Sequence, residues 1–395
     1  MATLMAAAAP AADVFAPLYK RAPMELVRGS GVWLFDDAGR AYLDFTSGIA
    51  VNALGYNDAG IRMAMQAATE SGLIHTSNLF RTAPGERLAA ELVARSFADQ
   101  VFFCNSGAEA NEGAFKFARK WARATGGPAK HEIVALRGSF HGRLFASVAA
   151  TDRPAYQLPF RPLAGGVSIA ERDEGELDVV LDEETVAAVI VEPIQGEGGV
   201  RIIEPTLLRA LRRMTHERGI ALIFDEIQCG LGRTGRLFAY ERVEIEPDML
   251  TLAKPLAGGL PMGAVLMRKE IAAALSPGDH GTTFGGGPFV ASVALHVLDR
   301  LGDPALLAHV RDTGAWLGDL LRAMMARSEK IRAVRGAGFM WGVDVVEPAA
   351  HVVARARDAG LLILTAGEHT LRLLPPLVMT RDEVNAGTAV LERVL

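Results

Sequence analysis

Apolar and polar residues alternate with different periods along the chain. From residue 28 to 46 the alternation has a period of two around a turn at 36–39, which predicts a β-hairpin. Between about residues 100 and 280, short β-rich runs alternate with helical stretches. The predicted strands are 101–104, 133–136, 187–191, 221–224 and 249–252. This alternation predicts an α/β fold with a central, mostly parallel sheet flanked by helices.

The two chain ends have a different pattern. After Pro288 the chain becomes helical, and strands return near 338–345 and 370–374. We therefore expect a smaller α+β domain that is built from both chain ends. The predicted division is 1–55 as the N-terminal part of the small domain, 56–287 as the large domain and 288–395 as the C-terminal small domain. Residues 1–20 carry no basic residue before Lys20, which favours a frayed tail over a signal peptide.

Composition excludes several classes of protein. Half of the 395 residues are hydrophobic and 22% are charged, so a large core can form and wholesale disorder is excluded. The net charge of −5 argues against a nucleic-acid binder. Two cysteines cannot form a disulfide framework, which favours a reducing cytoplasm. The apolar runs are too short for a membrane span.

Lys254 is the lysine whose surroundings suggest chemistry. Only 7 of the 41 basic residues are lysines, and the other six lie among polar or helical neighbours, where we expect solvated side chains. Lys254 follows an apolar strand and precedes Pro255, which disfavours helical geometry and predicts a tight turn. Its amine is either a core lysine that reaches solvent or a reactive nucleophile with a lowered pKa.

Two further segments follow predicted strands. Ser106, Gly107 and Ala108 open a predicted helix, where small residues let an anion reach free N–H groups, although an ordinary capped helix explains them equally well. Asp225 and Glu226 end the strand 221–224, at the edge where α/β sheets bind ligands. Asp225 is either the partner of a cofactor's cationic nitrogen or a structural cap. The histidine spacing shows no metal motif.

Two glycine-containing segments are weak signals alone. G-S-F-H-G-R at 138–143 places Phe140 and Arg143 in one loop, where a ring can stack on a planar cofactor and a guanidinium can bind a carboxylate. G-T-T-F-G-G-G-P at 281–288 is typical of a flexible turn. Neither a dinucleotide fingerprint nor a P-loop is present.

In combination these segments are far more specific. In order along the chain they read N-S-G at 105–107, F-H-G-R at 140–143, E-P-I-Q-G-E at 192–197, D-E-I-Q at 225–228, and Lys254. From about Tyr19 to the end, the sequence resembles the class III (ω-type) aminotransferases of the fold-type-I pyridoxal-phosphate superfamily. Within that class it is most similar to the acetylornithine/ornithine group.

The resemblance implies a cofactor site for pyridoxal 5′-phosphate. Lys254 would bind the cofactor covalently, Asp225 would pair with its pyridinium nitrogen, Phe140 would stack on its ring, and Gln228 would bind its phenolic oxygen. The phosphate would be held by residues of two segments: Ser106, Gly107 and Ala108 in one subunit and Thr283 of the other. The resemblance therefore also implies a homodimer with shared sites.

The same resemblance implies a substrate site. Arg143 and Arg372 would bind substrate carboxylates, and Glu197 would pair with Arg372 when the substrate offers no second carboxylate. Tyr19 would line the entrance. Ile49 would contact the donor, since enzymes that use free ornithine tend to carry a tyrosine there, and an apolar residue suits an acylated, uncharged nitrogen better.

Three positions depart from the common pattern. Ala108 stands where many relatives have threonine, which removes one side-chain contact to the phosphate. Tyr56 replaces a frequent histidine, and Gly287 replaces a frequent asparagine.

The expected reaction transfers the terminal amine of N-acetylornithine to 2-oxoglutarate, a step in arginine biosynthesis, in the cytoplasm. Other donors remain open: succinylornithine, a carrier-bound lysine precursor, ornithine or 4-aminobutyrate. More distant alternatives are an aminomutase on the same scaffold and a non-catalytic binding module. We expect no metal, nucleic-acid or membrane partner.

Overall fold

The computed structural model describes residues 14–395 as an α/β protein with four sheets. Residues 1–13 of the expected frayed tail lie outside the described residues. The strands are β1 (Leu26–Ser30), β2 (Trp33–Asp36), β3 (Ala41–Asp44), β4 (Gln100–Cys104), β5 (Glu132–Leu136), β6 (Val167–Ala170), β7 (Val186–Val191), β8 (Ile194–Gln195), β9 (Arg201–Ile202), β10 (Ala221–Asp225), β11 (Met249–Leu252), β12 (Gly263–Met267), β13 (Ile331–Ala337), β14 (Met340–Val345), β15 (Leu361–Leu362), β16 (Leu364–Thr365) and β17 (Thr370–Leu373).

Helices cover the main sheet and connect its strands. They are α1 (Ser47–Ala50), α2 (Ala59–Glu70), α3 (Ala83–Ala94), α4 (Gly107–Gly126), α5 (Phe145–Ala149), α6 (Pro154–Gln157), α7 (Glu174–Val180), α8 (Pro205–Glu217), α9 (Lys269–Ala272), α10 (Pro288–Leu301), α11 (Pro304–Arg327), α12 (Ala349–Asp358) and α13 (Arg381–Val394). Short 3-10 turns are Leu158–Phe160, Ala239–Arg242 and Lys254–Ala257. None of the helices within residues 14–395 is long and apolar enough to cross a bilayer.

The main sheet has seven strands in the order β4-β12-β11-β10-β7-β5-β6. β12 is antiparallel to both neighbours and the remaining pairs are parallel, so the predicted mostly parallel sheet is confirmed. All five predicted strands are present within one residue of their predicted ends. The prediction missed β6 and β12. β6 has only four residues, and only a short glycine-rich turn separates β12 from Lys254, so the sequence pattern does not mark where this strand begins.

Both chain ends meet in the smaller sheets. The predicted hairpin is the β2–β3 pair, and β1 extends it to three antiparallel strands. β15, from the far end of the chain, pairs parallel to β3 through Leu361 and Leu43. A second four-stranded sheet has the order β13-β14-β17-β16. The predicted domain boundaries stay a prediction, but the sheet pairing brings both ends together.

The core corrects one expectation about the lysines. Lys130 is only 5% exposed, and its Nζ donates a hydrogen bond to the Arg218 carbonyl at 2.8 Å, so the prediction of a solvated side chain there is wrong. Burial lowers the pKa of this amine. Lys130 thus satisfies a carbonyl just after α8, an ordinary role for a basic group at a helix C-terminus.

Candidate active site

The carboxyl ends of β4, β10 and β11 open into one cavity of about 400 Å³. This is the edge at which parallel α/β sheets place ligands, because the loops that follow neighbouring strands converge there. The segments that line it come from loops far apart in sequence. The lining residues are Val51, Asn105, Ser106, Gly107, Ala108, Phe140, His141, Gly142, Arg143, Glu192, Asp225, Ile227, Gln228, Ala253, Lys254, Gly259, Leu260, Pro261 and Met262.

Lys254 enters this cavity from the turn after β11. Its φ of +21° is unusual for a residue with a side chain, and such strain is concentrated at functional sites. The tight turn predicted from Pro255 is present as the 3-10 turn Lys254–Ala257. Burial lowers the pKa of the Lys254 amine, although the nearby Asp225 carboxylate opposes that shift. The neutral, nucleophilic form of the amine is therefore more accessible than for a solvated lysine.

Asp225 is a buried carboxylate that three donors hold in place. Oδ2 accepts hydrogen bonds at 2.8 Å from His141 Nδ1 and from Asn111 Nδ2, and Oδ1 accepts one from the Ile227 amide at 3.1 Å. Asn111 Nδ2 also donates to the His141 carbonyl at 2.7 Å, which ties the two supporting residues together. Hydrogen bonds to the charged form stabilise a carboxylate, so Asp225 is suited to face a cation in the cavity.

The start of α4 lies at one end of the cavity. Ser106 caps the helix, since its Oγ accepts a hydrogen bond from the Glu109 amide at 3.2 Å. The amides of Gly107 and Ala108 have no hydrogen-bond acceptor within the described residues. A Cβ at Gly107 would lie 2.7 Å from Ile227 Cδ1, so a larger residue would have to displace the Ile227 side chain. The two interpretations of this segment are compatible, because the cap leaves two amides free for an anion.

Glu192 connects two loops beneath the cavity. Its Oε2 accepts a hydrogen bond from the Phe140 amide at 3.0 Å, and its Oε1 accepts one from the Gly196 amide at 3.1 Å. Burial raises the pKa of this carboxyl to about 7. Glu192 therefore holds the loop that carries Phe140 and the loop that carries Glu197 in a fixed relation.

Arg372 and Glu197 form an ion pair beside the cavity, with Nη1 2.6 Å from Oε1. Arg372 lies on β17 and is 3% exposed. The same Nη1 donates to Gln228 Oε1 at 3.1 Å, and Nε has no partner among the described residues. The guanidinium thus has a donor to spare for a carboxylate that replaces Glu197.

Arg143 lines the cavity mouth and is exposed. Its guanidinium carbon lies 3.3 Å from the centre of the Tyr156 ring and 5.9 Å from that of Phe140. Stacking on an aromatic face leaves the edge of the guanidinium free for a bidentate contact with a carboxylate.

Three predicted site residues lie outside the cavity of the single chain. Thr283 is exposed, as expected of a residue that would act on a partner subunit. Tyr19 is 79% exposed, and Ile49 is 44% exposed in a segment whose φ is +64°. The structure brings the other ten predicted residues into or directly beside the cavity.

The departures from the common pattern have partial physical explanations. The Tyr56 hydroxyl donates to the buried Asp44 carboxylate at 2.6 Å, a structural role away from the cavity. Ala108 packs closely against Gly142: a Cβ added at Gly142 would lie 2.8 Å from the Cβ of Ala108. Gly287 caps α10, and nothing in the structure explains the loss of a side chain there. Glu226 faces away from Asp225 and accepts from the Ala239 and Tyr240 amides.

Sequence reasoning assigned no role to Asn111, His141 or Glu192. Asn111 is fully buried on the face of α4 that also carries Ala110 and Ala114. A short polar residue on an otherwise alanine-rich buried face is the signal that identifies it, because such a group needs a hydrogen-bond partner. His141 and Glu192 lie within the motifs at 140–143 and 192–197, but nothing in the sequence pattern indicates their hydrogen-bond partners.

Comparisons with known proteins agree with this arrangement. The family model for aminotransferase class III matches residues 14–395. The chain is 45% identical over 392 residues to a mitochondrial acetylornithine aminotransferase of Alnus glutinosa, covering 98% of this chain and 86% of that protein. The crystal structure of N-acetylornithine aminotransferase from Stenotrophomonas maltophilia superposes with a TM-score of 0.83 at 38% identity, covering 95% and 96% of the two chains. Ornithine aminotransferase from Toxoplasma gondii, with partial occupancy of PLP at its active site, superposes with a TM-score of 0.92 at 32% identity and covers 96% and 92%.

Proposed function

The chain belongs to the class III aminotransferases, which are pyridoxal-phosphate-dependent transaminases of fold type I, and we propose that it transfers the terminal amine of N-acetylornithine to 2-oxoglutarate. The observation that carries the proposal is the Arg372–Glu197 ion pair beside a cavity that contains Lys254 and Asp225. Arg372 is either neutralised by Glu197 or available to a substrate carboxylate. A transaminase that handles a monocarboxylate and a dicarboxylate in the same site needs both arrangements.

The residues of the cavity fit pyridoxal phosphate. A buried lysine, a carboxylate fixed by three donors and two unsatisfied helix amides supply an attachment point, a counter-charge and an anion cradle. Lys254 would hold the cofactor covalently, Asp225 would pair with its ring nitrogen, and Phe140 and Gln228 would contact its ring. Ser106, Gly107 and Ala108 would hold the phosphate. When bound, the cofactor supplies the conjugated ring that stabilises negative charge on the carbon that loses its proton.

Lys254 is the group in the cavity that can move that proton. With cofactor and substrate bound, its Nζ would accept and return the proton, and burial, which lowers the pKa of this amine, favours the neutral form that accepts it. His141 and Asn111 hold Asp225 in a fixed orientation, so this side chain does not have to reorganise during the reaction.

Arg372 and Glu197 let the site accept two different amino compounds. With N-acetylornithine, the only carboxylate reaches Arg143, and Glu197 keeps Arg372 neutralised. With glutamate, one carboxylate takes the place of Glu197 on Arg372 and the other reaches Arg143. Because stranding a buried charge costs about 2–5 kcal/mol, the exchange of partners supports both half-reactions.

The choice of donor rests on the relatives and on Ile49. The relative from Alnus and the Stenotrophomonas structure carry the name acetylornithine aminotransferase. An apolar residue at position 49 lacks the hydroxyl that would favour a free ammonium group. Succinylornithine, a carrier-bound lysine precursor, ornithine and 4-aminobutyrate are the alternative donors. Steady-state rates with 2-oxoglutarate test the choice: the largest kcat/KM should be that for N-acetylornithine, and a larger value for another donor would replace it.

A homodimer with shared sites is part of the proposal. Large apolar side chains are exposed on two neighbouring segments, at Leu73, Ile74, Leu79, Phe80 and Phe284. The segments are joined by a 2.7 Å hydrogen bond from Asn78 to the Thr282 carbonyl and by a ring contact between His75 and Phe284. Exposed apolar area of this kind marks a protein interface. Thr283 is exposed next to Phe284, and in this proposal it would contribute to the partner's phosphate site.

The proposed setting is arginine biosynthesis in the cytoplasm. Both cysteines are buried free thiols, which fits a reducing compartment. Burial raises the pKa of Cys104 to about 12, so its thiol is unreactive at neutral pH.

A further inference from the structure

A second cleft, of about 360 Å³, is lined by none of the residues of the active-site cavity. It lies between the segment that follows β10, the helix α11 and the β13–β14 turn. Ten residues line it, of which none is acidic and four are arginines: Arg236, Arg242, Arg311 and Arg322.

Most of this positive charge is not neutralised within the chain. Arg322 pairs with Asp319 at 2.8 Å, and Arg311 donates to the Gly235 carbonyl at 2.5 Å. Within residues 14–395, no carboxylate lies within 4 Å of the guanidinium groups of Arg236, Arg242 or Arg311. All four arginines are exposed, so the cleft presents an excess of positive charge to solvent and to an approaching anion.

Thr234 is an independent sign of a missing partner. Its side chain is 4% exposed, and its Oγ1 has no hydrogen-bond partner among the described residues. Because a buried hydroxyl without a partner is unfavourable, such groups are rare in folded proteins. The backbone here is tightly packed, since a Cβ at Gly338 would lie 2.8 Å from Thr234 Cα. Thr234 lines the cleft, and because its hydroxyl has no partner among the described residues, it can turn toward an anion there without losing a hydrogen bond.

We propose that this cleft binds an oxyanion with two or more negative charges, a phosphoryl group or a polycarboxylate. Guanidinium groups donate paired hydrogen bonds to the oxygens of such anions, and the Thr234 hydroxyl supplies a further donor. The anion would bridge the segment after β10 and helix α11, which lies in the predicted C-terminal domain. Binding should therefore stabilise the protein against unfolding.

Calorimetric titration of the holoenzyme tests the proposal, because the cofactor then fills the phosphate site of the active-site cavity, and the variants below separate the cleft from carboxylate binding at Arg143 and Arg372. Inorganic phosphate and citrate are titrated separately at constant ionic strength set with potassium chloride. We expect saturable binding of one anion per chain for at least one of the two, together with a higher thermal unfolding midpoint. The anion that binds more tightly identifies the chemical source.

Three variants connect the binding to the cleft. Arg242→Ala and Thr234→Val should each weaken binding by about tenfold or more, the value expected for a lost hydrogen bond to a charged group. Arg393→Ala removes the same charge from α13 and should leave binding unchanged. Thr234→Val keeps the shape of the side chain and removes only the unpaired hydroxyl, so the midpoint without anion should not fall.

Two results would overturn the proposal. One is the absence of saturable binding by either anion in the wild-type holoenzyme. The other is binding that Arg242→Ala and Thr234→Val leave unchanged, since the anion would then lie elsewhere. Neither outcome bears on the transaminase activity, because no residue of this cleft lines the active-site cavity.

Discussion

Arg372 and Glu197 are joined by a 2.6 Å contact between Nη1 and Oε1, although Arg372 lies on β17 and Glu197 in the turn between β8 and β9, 175 residues apart (372 − 197). The arginine is almost fully buried and the glutamate is half-buried. The pair therefore holds a cation beside the cavity, and in the proposed reaction a substrate carboxylate would take the place of Glu197 on it. This relation links the fold to the two-substrate chemistry.

Replacing Glu197 should affect the two half-reactions differently. In Glu197→Gln, Arg372 loses its counter-charge whenever the bound donor has no second carboxylate. We expect kcat/KM for N-acetylornithine to fall relative to that for glutamate by roughly 30- to 5000-fold, because a stranded buried charge costs about 2–5 kcal/mol and only glutamate supplies Arg372 with a new partner. The glutamate half-reaction should stay within a few-fold of wild type or become faster, as measured by stopped-flow absorbance.

The matched control for that variant is Glu204→Gln, which removes the same charge from an exposed position before α8. It should leave both half-reactions unchanged. An equal loss in both half-reactions of Glu197→Gln would contradict the exchange of partners on Arg372.

Replacing Lys254 should remove both cofactor attachment and proton transfer. Lys254→Ala should lose the visible absorbance of the covalently bound cofactor, and kcat should fall by roughly 10²–10⁴-fold or more, the usual contribution of a general acid–base group. Lys269→Ala, at an exposed lysine on α9, is the control and should keep the spectrum and the rate. A Lys254→Ala protein with an unchanged spectrum would show that the cofactor is held elsewhere.

How far the sequence alone predicts this site depends on the range of the interactions. Lys254, Asp225 and Phe140 were identified because each follows a strand or lies in a short motif, and local pattern defines those positions. The Arg372–Glu197 pair was reached only through the family resemblance, because nothing local to either residue indicates the other. Strand pairing between β15 and β3 is equally non-local.

The omissions have physical causes. Asn111 supports Asp225 across 114 residues, and a helical pattern alone does not show which buried face meets which strand end. Lys130 was expected at the surface because its neighbours are polar, yet the carbonyl that it satisfies belongs to a helix 88 residues away. Ile49 and Tyr19 lie outside the cavity of the single chain, and their predicted roles stay predictions.

The buried Glu226 should make stability depend on pH. Burial raises the pKa of its carboxyl to about 8, so the folded protein keeps a proton that the unfolded chain has lost above about pH 4.5. The contribution of the protonated Glu226 to the free energy of unfolding is fully present below about pH 4.5, the pKa in the unfolded chain, and is lost as the pH rises through about 8. The free energy of unfolding should therefore fall between pH 6 and 9.

Denaturant titration at several pH values measures this effect. Glu226→Gln should be less stable than wild type at pH 6, because glutamine can accept only one of the two amide hydrogen bonds from Ala239 and Tyr240. Its stability should change less between pH 6 and 9. A slope equal to that of wild type would assign the titration to another group.

Shared sites predict recovery of activity in mixed dimers. Thr283→Ala and Lys254→Ala homodimers should each be impaired, but a mixed dimer contains one site with both wild-type residues. After the two variants are unfolded together and refolded, activity should approach roughly a quarter of the wild-type value, since half of the dimers are mixed and each has one intact site. If no activity were recovered, the shared-site account would be contradicted. Either Thr283 and Lys254 of the same chain would then lie in one site, or Thr283 would belong to no site.

The most direct test of the assigned reaction is an absorbance titration of the purified, yellow holoenzyme with single amino compounds and no keto acid. N-acetylornithine and glutamate should each bleach the visible cofactor band, and ornithine and 4-aminobutyrate should do so poorly. Bleaching by glutamate but not by N-acetylornithine would contradict the proposed donor. A colourless protein that takes up no pyridoxal phosphate would contradict the proposed chemistry of Lys254 and Asp225 as a whole.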